Sequence, residues 1–304
     1  MKPPSKQEIP IWTISKLITW TTDYFISQNI ESPRIAAELL LAHCLKIKRL
    51  DLYLQHDKPL TQSELAHYKS LIKRRVNREP VAYITGVKGF WNLDLEVSEN
   101  VLIPRPDTEC LIEAALEVIP KSSQGEMMHI LDLGTGSGAI ILSLASERSE
   151  NCCFYAVDIS HHASMQALKN RNNNHFEKMV SFITGNWFGP FKKQPFFDVI
   201  VSNPPYIPRA DIDGLEPEIR NHEPFLALDG DTDGLRCIRD IIGAAPYYLN
   251  PGGCLLMEIG FDQKEQVRMI AEGAGCFEHI EFIKDYAGHH RVVKMNQPRY
   301  VSIK

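Results

Sequence analysis

The chain has 304 residues, enough for two domains, and its 44% hydrophobic and 23% charged residues are typical of a globular protein. A net charge of −5 gives no support for a nucleic-acid-binding protein, and no apolar run reaches the roughly 18–20 residues of a membrane span. The first ten residues are polar and lack the apolar core of a signal peptide, so we expect a cytoplasmic protein without membrane contact.

The first 80 residues have the pattern of a small helical domain. Residues at helical spacing open it: Ile14, Leu17, Ile18, Thr21 and Phe25. Ser32-Pro33 resembles an N-cap followed by proline, before a helical run from Ile35 to Leu45. Thr61 to Glu64 fits a capping box. The helix that it opens is predicted to end near Glu79-Pro80, because a residue before proline avoids the α region.

Four basic residues crowd the last turns of that helix: Lys73, Arg74, Arg75 and Arg78. Cations at a helix C-terminus are favoured by the helix dipole, so the simplest interpretation is a solvated charged end. The alternative is a contact surface for a macromolecular partner.

After Pro80 the spacing of the residues changes from the helical pattern to the alternating pattern of β-strands. Tyr83 to Val87 and Leu93 to Val97 alternate, with glycine and asparagine between them, which predicts a β-hairpin. We assign residues 81–106 to a hairpin connector between a helical domain, 1–80, and a second domain, 107–304. Asp107, after the stiff stretch Ile103 to Pro106, is predicted to cap a helix running to about Ile119.

Strand and helix patterns alternate through the second domain. Strands are predicted at 129–133, 153–158, 180–183, 197–202, 254–259, 277–283 and 291–295. Helices are predicted at 138–148, 160–172, 235–249 and 263–272. Such alternation favours an α/β fold with a parallel sheet, while the last two strands, joined by a short loop, should be antiparallel. This is the layout of a Rossmann-like methyltransferase sheet of seven strands with the last one antiparallel.

A glycine-rich turn follows the first of these strands. Glycine lets the backbone approach a ligand and take positive φ, which makes the turn a candidate cofactor site: Gly134, Thr135, Gly136, Ser137 and Gly138. Asp158 ends the next strand, where an acid can bind ribose hydroxyls with both oxygens. Because Gly134, Gly136 and Ala139 also satisfy G-x-G-x-x-G/A, this loop alone leaves a dinucleotide-dependent dehydrogenase open.

Two further elements point to the carboxyl edge of the sheet. Asn186-Trp187 follows the third strand, and there the indole could cover an adenine while the amide pairs with its edge; the alternative is a core tryptophan. Asn203-Pro204-Pro205-Tyr206 ends the fourth strand, since two prolines cannot continue a ladder. Ligands of open α/β sheets bind at this edge, although Asn-Pro is also a common surface turn.

Together these residues resemble S-adenosylmethionine-dependent amino-methyltransferases and, more narrowly, the HemK family of peptide chain release factor glutamine methyltransferases. The broad resemblance rests on 131–140, Asp158, Trp187 and 203–206. The narrower one rests on the stretches 79–86, 102–109, 227–230, 258–260 and 285–288. The first 80 residues match only in type. Asn203 to Tyr206 alone is shared with adenine methyltransferases of DNA, whereas its combination with Ile103 to Glu109 is much more specific. Asn186 departs from the family, which often has an acid there.

The resemblance implies methyl transfer from S-adenosylmethionine, leaving S-adenosylhomocysteine, to the glutamine of the Gly-Gly-Gln motif in release factors. It implies catalytic roles for Asn203, Pro204 and Tyr206. It also implies that Pro205 contacts the substrate and that Asn203 lies near the cofactor. An amide nitrogen is a poor nucleophile, so acceptors at Asn203 Oδ1 and the Pro204 carbonyl must aim it. The alternatives are methylation of adenine in DNA or RNA, and a scaffold that binds the cofactor without catalysis.

The resemblance also implies that the helical domain helps to hold the release factor; we expect a monomer with no direct contact to nucleic acid. The seven cysteines include no Cys-x-x-Cys pair, which favours reduced packing groups. Histidines 161–162 and 289–290 are adjacent, and neighbouring residues on a helix do not share a face, so we expect no metal.

Overall fold

The computed structural model describes residues 12–120, 127–148 and 150–298. Five helices form its N-terminal part: α1 (Ile14–Ser27), α2 (Pro33–Leu45), α3 (Arg49–Leu54), α4 (Gln62–Val76) and α5 (Val81–Thr85). The five residues predicted to share one face of α1 are all buried, and the four apolar ones belong to a core shared with α2 and α4. The helical spacing in the sequence therefore identified the packed face correctly.

The helix ends agree only partly with the sequence. Thr61 accepts from the Glu64 N–H and Glu64 reaches back to the Thr61 N–H, which confirms the capping box. Ser32, by contrast, has a φ of 46° and makes no capping hydrogen bond. Helix α4 ends at Val76, before the predicted Glu79-Pro80, and the chain leaves it through Arg78 at a φ of 69°.

The hairpin begins later than predicted. Residues Val81–Thr85 form a helix instead of a strand, because Pro80 accepts from the N–H groups of Tyr83 and Ile84. Gly86, at a φ of 76°, ends this turn in the left-handed region that glycine tolerates. The strands are β1 (Val87–Phe90) and β2 (Leu93–Glu96), paired antiparallel. The hairpin is thus present, but the prediction of a strand from Tyr83 was wrong.

The remaining strands form a single seven-stranded sheet: β3 (Met128–Leu133), β4 (Cys152–Asp158), β5 (Val180–Thr184), β6 (Phe197–Ser202), β7 (Leu249–Glu258), β8 (His279–Lys284) and β9 (His290–Asn296). The strand order is β5-β4-β3-β6-β7-β9-β8. Strand β9 inserts between β7 and β8 and is antiparallel to both, while the other pairings are parallel. This confirms the predicted methyltransferase-type sheet.

Helices cover both faces of this sheet: α6 (Glu109–Val118), α7 (Ala139–Glu147), α8 (His161–Asn173), α10 (Arg236–Ala244) and α11 (Lys264–Ala274), with the short α9 (Pro217–His222) in the loop after β6. Two apolar cores, one on each face, contain the buried strand residues. Asp107 lies inside a 3₁₀ turn, Pro106–Thr108, and pairs with Arg291 at 3.2 Å instead of capping α6. Helix α10 ends before Pro246, five residues short of the predicted Leu249, which starts β7.

The described chain divides into two compact units. One contains the residues up to Gly86 together with Pro217–His222, and the other contains Val87–Glu216 and the residues from Glu223 onward. The domain boundaries at 80 and 106 stay predictions. Within the described ranges, no helix is both long and apolar enough to cross a membrane.

The basic residues of α4 are mostly paired within the first unit. Arg75 is buried and contacts Glu218 at 2.9 Å, so its interpretation as a solvated cation was wrong. Arg78 donates to the backbone oxygens of Gln28 and Asn29, and Arg74 pairs with Glu79. Lys73 is exposed, as expected for a charged helix end.

Candidate functional site

A cavity of about 350 Å³ lies in the second unit, at the carboxyl ends of β3, β4, β5 and β6. Seven predicted site residues line it: Gly134, Gly136, Asp158, Asn186, Trp187, Asn203 and Pro205. Five others are near in sequence but outside its lining: Thr135, Ser137, Gly138, Pro204 and Tyr206. The fold therefore brings the glycine-rich turn and the Asn-Pro-Pro-Tyr segment to one concave surface.

The glycine-rich turn takes a conformation that only glycine adopts readily. The φ angles of Gly134, Gly136 and Gly138 are 73°, 56° and 83°. A Cβ added to Gly136 would meet nothing within 4 Å, so this backbone faces open space beside the cavity. A Cβ on Gly138 would press on Leu142 and Phe182 at 3.1 and 3.3 Å, which explains glycine there by packing.

The alternate residues of the turn point inward. Thr135 and Ser137 are buried, and the Thr135 hydroxyl donates to Asp132 Oδ2 at 2.6 Å. Burial raises the pKa of Asp132 to about 7, against the effect of that hydrogen bond. The Thr135 side chain therefore stabilises the turn. Because both side chains are buried, these two residues can contact a ligand only through their backbone groups.

Asp158 holds the turn from the next strand. Its Oδ2 accepts from the Gly136 N–H and its Oδ1 from the Ser160 N–H, both at 2.8 Å. Burial raises the pKa of this carboxyl, and the two N–H donors oppose that shift. Each carboxylate oxygen keeps a further lone pair, so the group can accept additional hydrogen bonds on the side of the cavity.

Trp187 packs closely on the glycine turn. A Cβ on Gly134 would lie 3.3 Å from Trp187 Cζ3. Any residue other than glycine at position 134 would therefore press on the indole ring. Trp187 itself has a φ of 44°, and the adjacent Asn186 is exposed at the cavity wall. The ring is half-buried, which leaves part of it available as one wall of the cavity.

The Asn203 to Tyr206 segment is fixed by a buried network. Asn203 Nδ2 donates to Thr108 Oγ1 at 3.2 Å, and the Tyr206 hydroxyl donates to Glu258 at 3.2 Å. Gln263 Nε2 donates to the Tyr206 backbone oxygen at 2.9 Å. Sequence reasoning missed Thr108, Glu258 and Gln263 as members of the site. The position of Glu258, an acid at the carboxyl end of a strand like Asp158, was a usable signal.

The stretch Ile103 to Glu109 is held beside the cavity by another buried acid. Glu223 accepts from the Ile103 N–H at 3.2 Å and pairs with Arg105 at 2.5 Å. Burial raises the pKa of Glu223, while Arg105 opposes that shift. These contacts hold the start of the 3₁₀ turn that carries Thr108.

The described residues include no cluster of three or more His, Cys, Asp or Glu arranged to hold a metal ion. All seven cysteines fall within the described ranges and are free thiols. The cavity wall instead offers amide, carboxylate and backbone groups with an aromatic ring, which suits an organic ligand.

Two family models match the chain. The PrmC N-terminal domain matches residues 16–86, and a methyltransferase domain matches residues 124–290. The second match covers the whole glycine-rich turn and the Asn203 to Tyr206 segment.

Curated relatives resemble the chain over most of its length. A release factor glutamine methyltransferase of Geobacter sulfurreducens is 43% identical over 84% of this chain and 87% of the relative. Proteins of the same name from Rhodopirellula baltica and Caulobacter vibrioides are 36% and 37% identical, over 94% and 92% of this chain and 97% and 96% of theirs.

Solved structures share the fold at low identity. The hMettl16 catalytic domain in complex with MAT2A 3'UTR hairpin 6 superposes with a TM-score of 0.54 at 14% identity, over 82% of this chain and 87% of that one. The same catalytic domain with hairpin 1 gives 0.51 at 14% identity, over 80% and 83% of the two chains. At this identity the likeness concerns the fold alone.

Proposed function

Because the chain belongs to the release factor glutamine methyltransferase family, we propose that it methylates the side-chain amide nitrogen of the glutamine in the Gly-Gly-Gln motif of peptide chain release factors, in support of translation termination. The observation that carries the proposal is the position of Asn203, which lines the same cavity as the glycine-rich turn. One cavity therefore presents both a nucleotide-type loop and an amide-binding side chain.

The residues of the cavity fit S-adenosylmethionine. Its volume of about 350 Å³ lies within the range of small-molecule sites, and Gly136 leaves the space beside it free of side chains. Asp158 can accept from ribose hydroxyls, and the Asn186-Trp187 pair can meet the adenine edge and face. When bound there, S-adenosylmethionine supplies a methyl group on a sulfonium centre.

The chain's own residues must aim a weak nucleophile. Asn203 Oδ1 and the Pro204 carbonyl are each free of hydrogen bonds from the described residues, so each can accept one hydrogen of the glutamine amide. These acceptors orient the nitrogen and stabilise the positive charge that develops on it. The Tyr206 ring is fixed at its hydroxyl by Glu258, and although it lies outside the cavity lining, we propose that it flanks the flat amide of the bound substrate.

An ionised base beside the nitrogen is not required. The buried acid that contacts the Asn203 to Tyr206 segment, Glu258, accepts hydrogen bonds from the hydroxyl groups of Thr108 and Tyr206. Its role is therefore structural support of the acceptors, and proton release from the product can follow to solvent.

The helical first unit is proposed to help hold the release factor, with the chain acting as a monomer in the cytoplasm. The match of residues 16–86 to the PrmC N-terminal domain, and the compact helical unit that these residues form, support this proposal. Exposed Lys73 is the one basic residue of the α4 cluster not seen in an ion pair within the described chain, and so the one available for a partner.

The test is transfer of label from S-adenosylmethionine. The chain is incubated with a release factor, with the same factor carrying alanine in place of the Gly-Gly-Gln glutamine, and with DNA. We expect label only in the first. Label in DNA alone would instead support the adenine methyltransferase, and cofactor binding without any transfer would support a scaffold.

A further inference from the structure

Three side chains form a hydrogen-bonded chain that leads away from the cavity. Asn203 Nδ2 lies 3.2 Å from Thr108 Oγ1, and Thr108 Oγ1 lies 2.6 Å from Glu258 Oε2. Thr108 is 3% exposed and Glu258 is 1% exposed, so this connection is buried. Asn203 is its only member that lines the cavity.

The direction of each hydrogen bond follows from the donor inventory. The Thr108 hydroxyl has a single hydrogen, which it donates to Glu258 Oε2. The hydroxyl oxygen can then only accept from Asn203, which turns the amide nitrogen toward Thr108. Asn203 Oδ1 must therefore face the other way, where no described residue donates to it.

Glu258 also holds the other end of the same segment, because its Oε1 accepts from the Tyr206 hydroxyl at 3.2 Å. The charged groups that face it are Arg291 and Asp107, which pair with each other at 3.2 Å. Burial raises the pKa of Glu258, whereas Thr108, Arg291 and Tyr206 oppose that shift. Both carboxyl oxygens of Glu258 thus accept from a hydroxyl group, one from Thr108 and the other from Tyr206.

We propose that Thr108 and Glu258 are positioning residues that fix the amide orientation of Asn203, so that Oδ1 and not Nδ2 meets the substrate. The inference rests on the proposed methyl transfer to an amide, whose hydrogens need acceptors. Glu258→Gln would allow the opposite hydrogen-bond directions. Its NH₂ could donate to Thr108, whose hydroxyl could then donate to Asn203 Oδ1 and consume the acceptor.

The experiment compares Thr108→Ser, Thr108→Val and Glu258→Gln with the parent in methylation of a release factor, and measures S-adenosylmethionine affinity by calorimetry. Thr108→Ser keeps the hydroxyl that joins Asn203 to Glu258, so its kcat should stay within about threefold of the parent. Thr108→Val and Glu258→Gln should lose on the order of 10- to 100-fold in kcat, the size of one misdirected hydrogen bond. KM for the release factor and cofactor affinity should change far less.

A double-mutant cycle separates positioning from packing. If Thr108 acts through Asn203, Thr108→Val should cost almost nothing further in an Asn203→Ala background. Equal rates for Thr108→Val and Thr108→Ser, or additive losses in the cycle, would overturn the inference while leaving the proposed function intact. A parent chain that labels no release factor would overturn the proposed function and this inference with it.

Discussion

Arg75 Nη2 lies 2.9 Å from Glu218 Oε1, and the two side chains are only 6% and 15% exposed. Arg78 reaches the same oxygen at 3.4 Å. Burial acts to raise the pKa of Glu218, but hydrogen bonds from its own backbone and from Arg75 outweigh this and hold the pKa below its ordinary value. The short helix α9 is therefore attached to α4 by a buried ion pair.

Arg75→Met should weaken the first unit, because it leaves the Glu218 carboxylate partly buried without its main partner. Removing one member of a buried pair costs on the order of 3 kcal/mol. Hydrogen exchange of the α2 and α4 amides measures this loss in that unit alone. Lys73→Met, at an exposed position of the same helix, is the matched control and should change protection by less than about 0.5 kcal/mol. Equal protection in both variants would contradict the assigned role of the pair.

Gly136→Val should weaken cofactor binding by about tenfold or more, because a branched side chain would occupy the space beside the cavity. The backbone at a φ of 56° adds strain to the same variant. Calorimetry with S-adenosylmethionine measures the effect, and Gly273→Val, at a helical glycine that also has no neighbour within 4 Å, is the control. Tight binding of NAD by the parent, without binding of S-adenosylmethionine, would reject the proposed cofactor.

Asn203→Ala should slow methyl transfer by on the order of 100- to 1,000-fold, by analogy with the loss of one preorganised oxyanion donor. The lost acceptor strengthens as charge develops on the nitrogen, so cofactor affinity should change little. Single turnover with saturating cofactor is the measurement, and Asn172→Ala on the exposed side of α8 is the control. Asn203→Asp keeps an oxygen acceptor, and if this variant retains activity, the NH₂ donor of the Asn203 amide matters little. A parent-like rate for Asn203→Ala would exclude the proposed mechanism.

The stability of the second unit should depend on pH through Asp132. Burial raises its pKa to about 7 in the folded chain, while its value in an unfolded chain is about 3.9. Between these values the folded state keeps a proton that the unfolded state releases, so the free energy of unfolding falls as pH rises from about 4 to about 7. Asp132→Asn should remove this fall, a difference on the order of 3 kcal/mol between pH 5 and pH 8. Thermal unfolding at both pH values measures it, and curves parallel to the parent's would refute the assignment.

The sheet was predictable because its strands are short β-branched or apolar runs that end at glycine, proline or a polar residue. Phe197–Ser202 was predicted to the residue, since the prolines that follow cannot extend a ladder. Val81–Thr85 was not, because β-branched residues in a short run favour a strand and only the preceding proline and the following Gly86 indicate a helical turn.

Sequence motifs also predicted the residues that line the cavity, but they did not predict the buried residues that hold Asn203 in place. Gly134, Asp158 and Asn203 each end a strand, and parallel strands bring such ends to one edge. The place of Glu258 at a strand end was a usable signal, but its contact with Thr108 spans 150 positions and that of Thr108 with Asn203 spans 95, and no local pattern encodes such pairings. Arg75 was misread for the same reason, as Glu218 comes from a distant segment.

Because Pro217–His222 groups with the first unit, the polypeptide enters that unit twice, and no single cut separates the two units. A fragment ending at Gly86 would bury the Arg75 guanidinium with its main counter-charge removed. A chimera that exchanges the helical unit between two relatives must therefore carry both pieces, the N-terminal helices and the six residues of α9, to transfer a complete module.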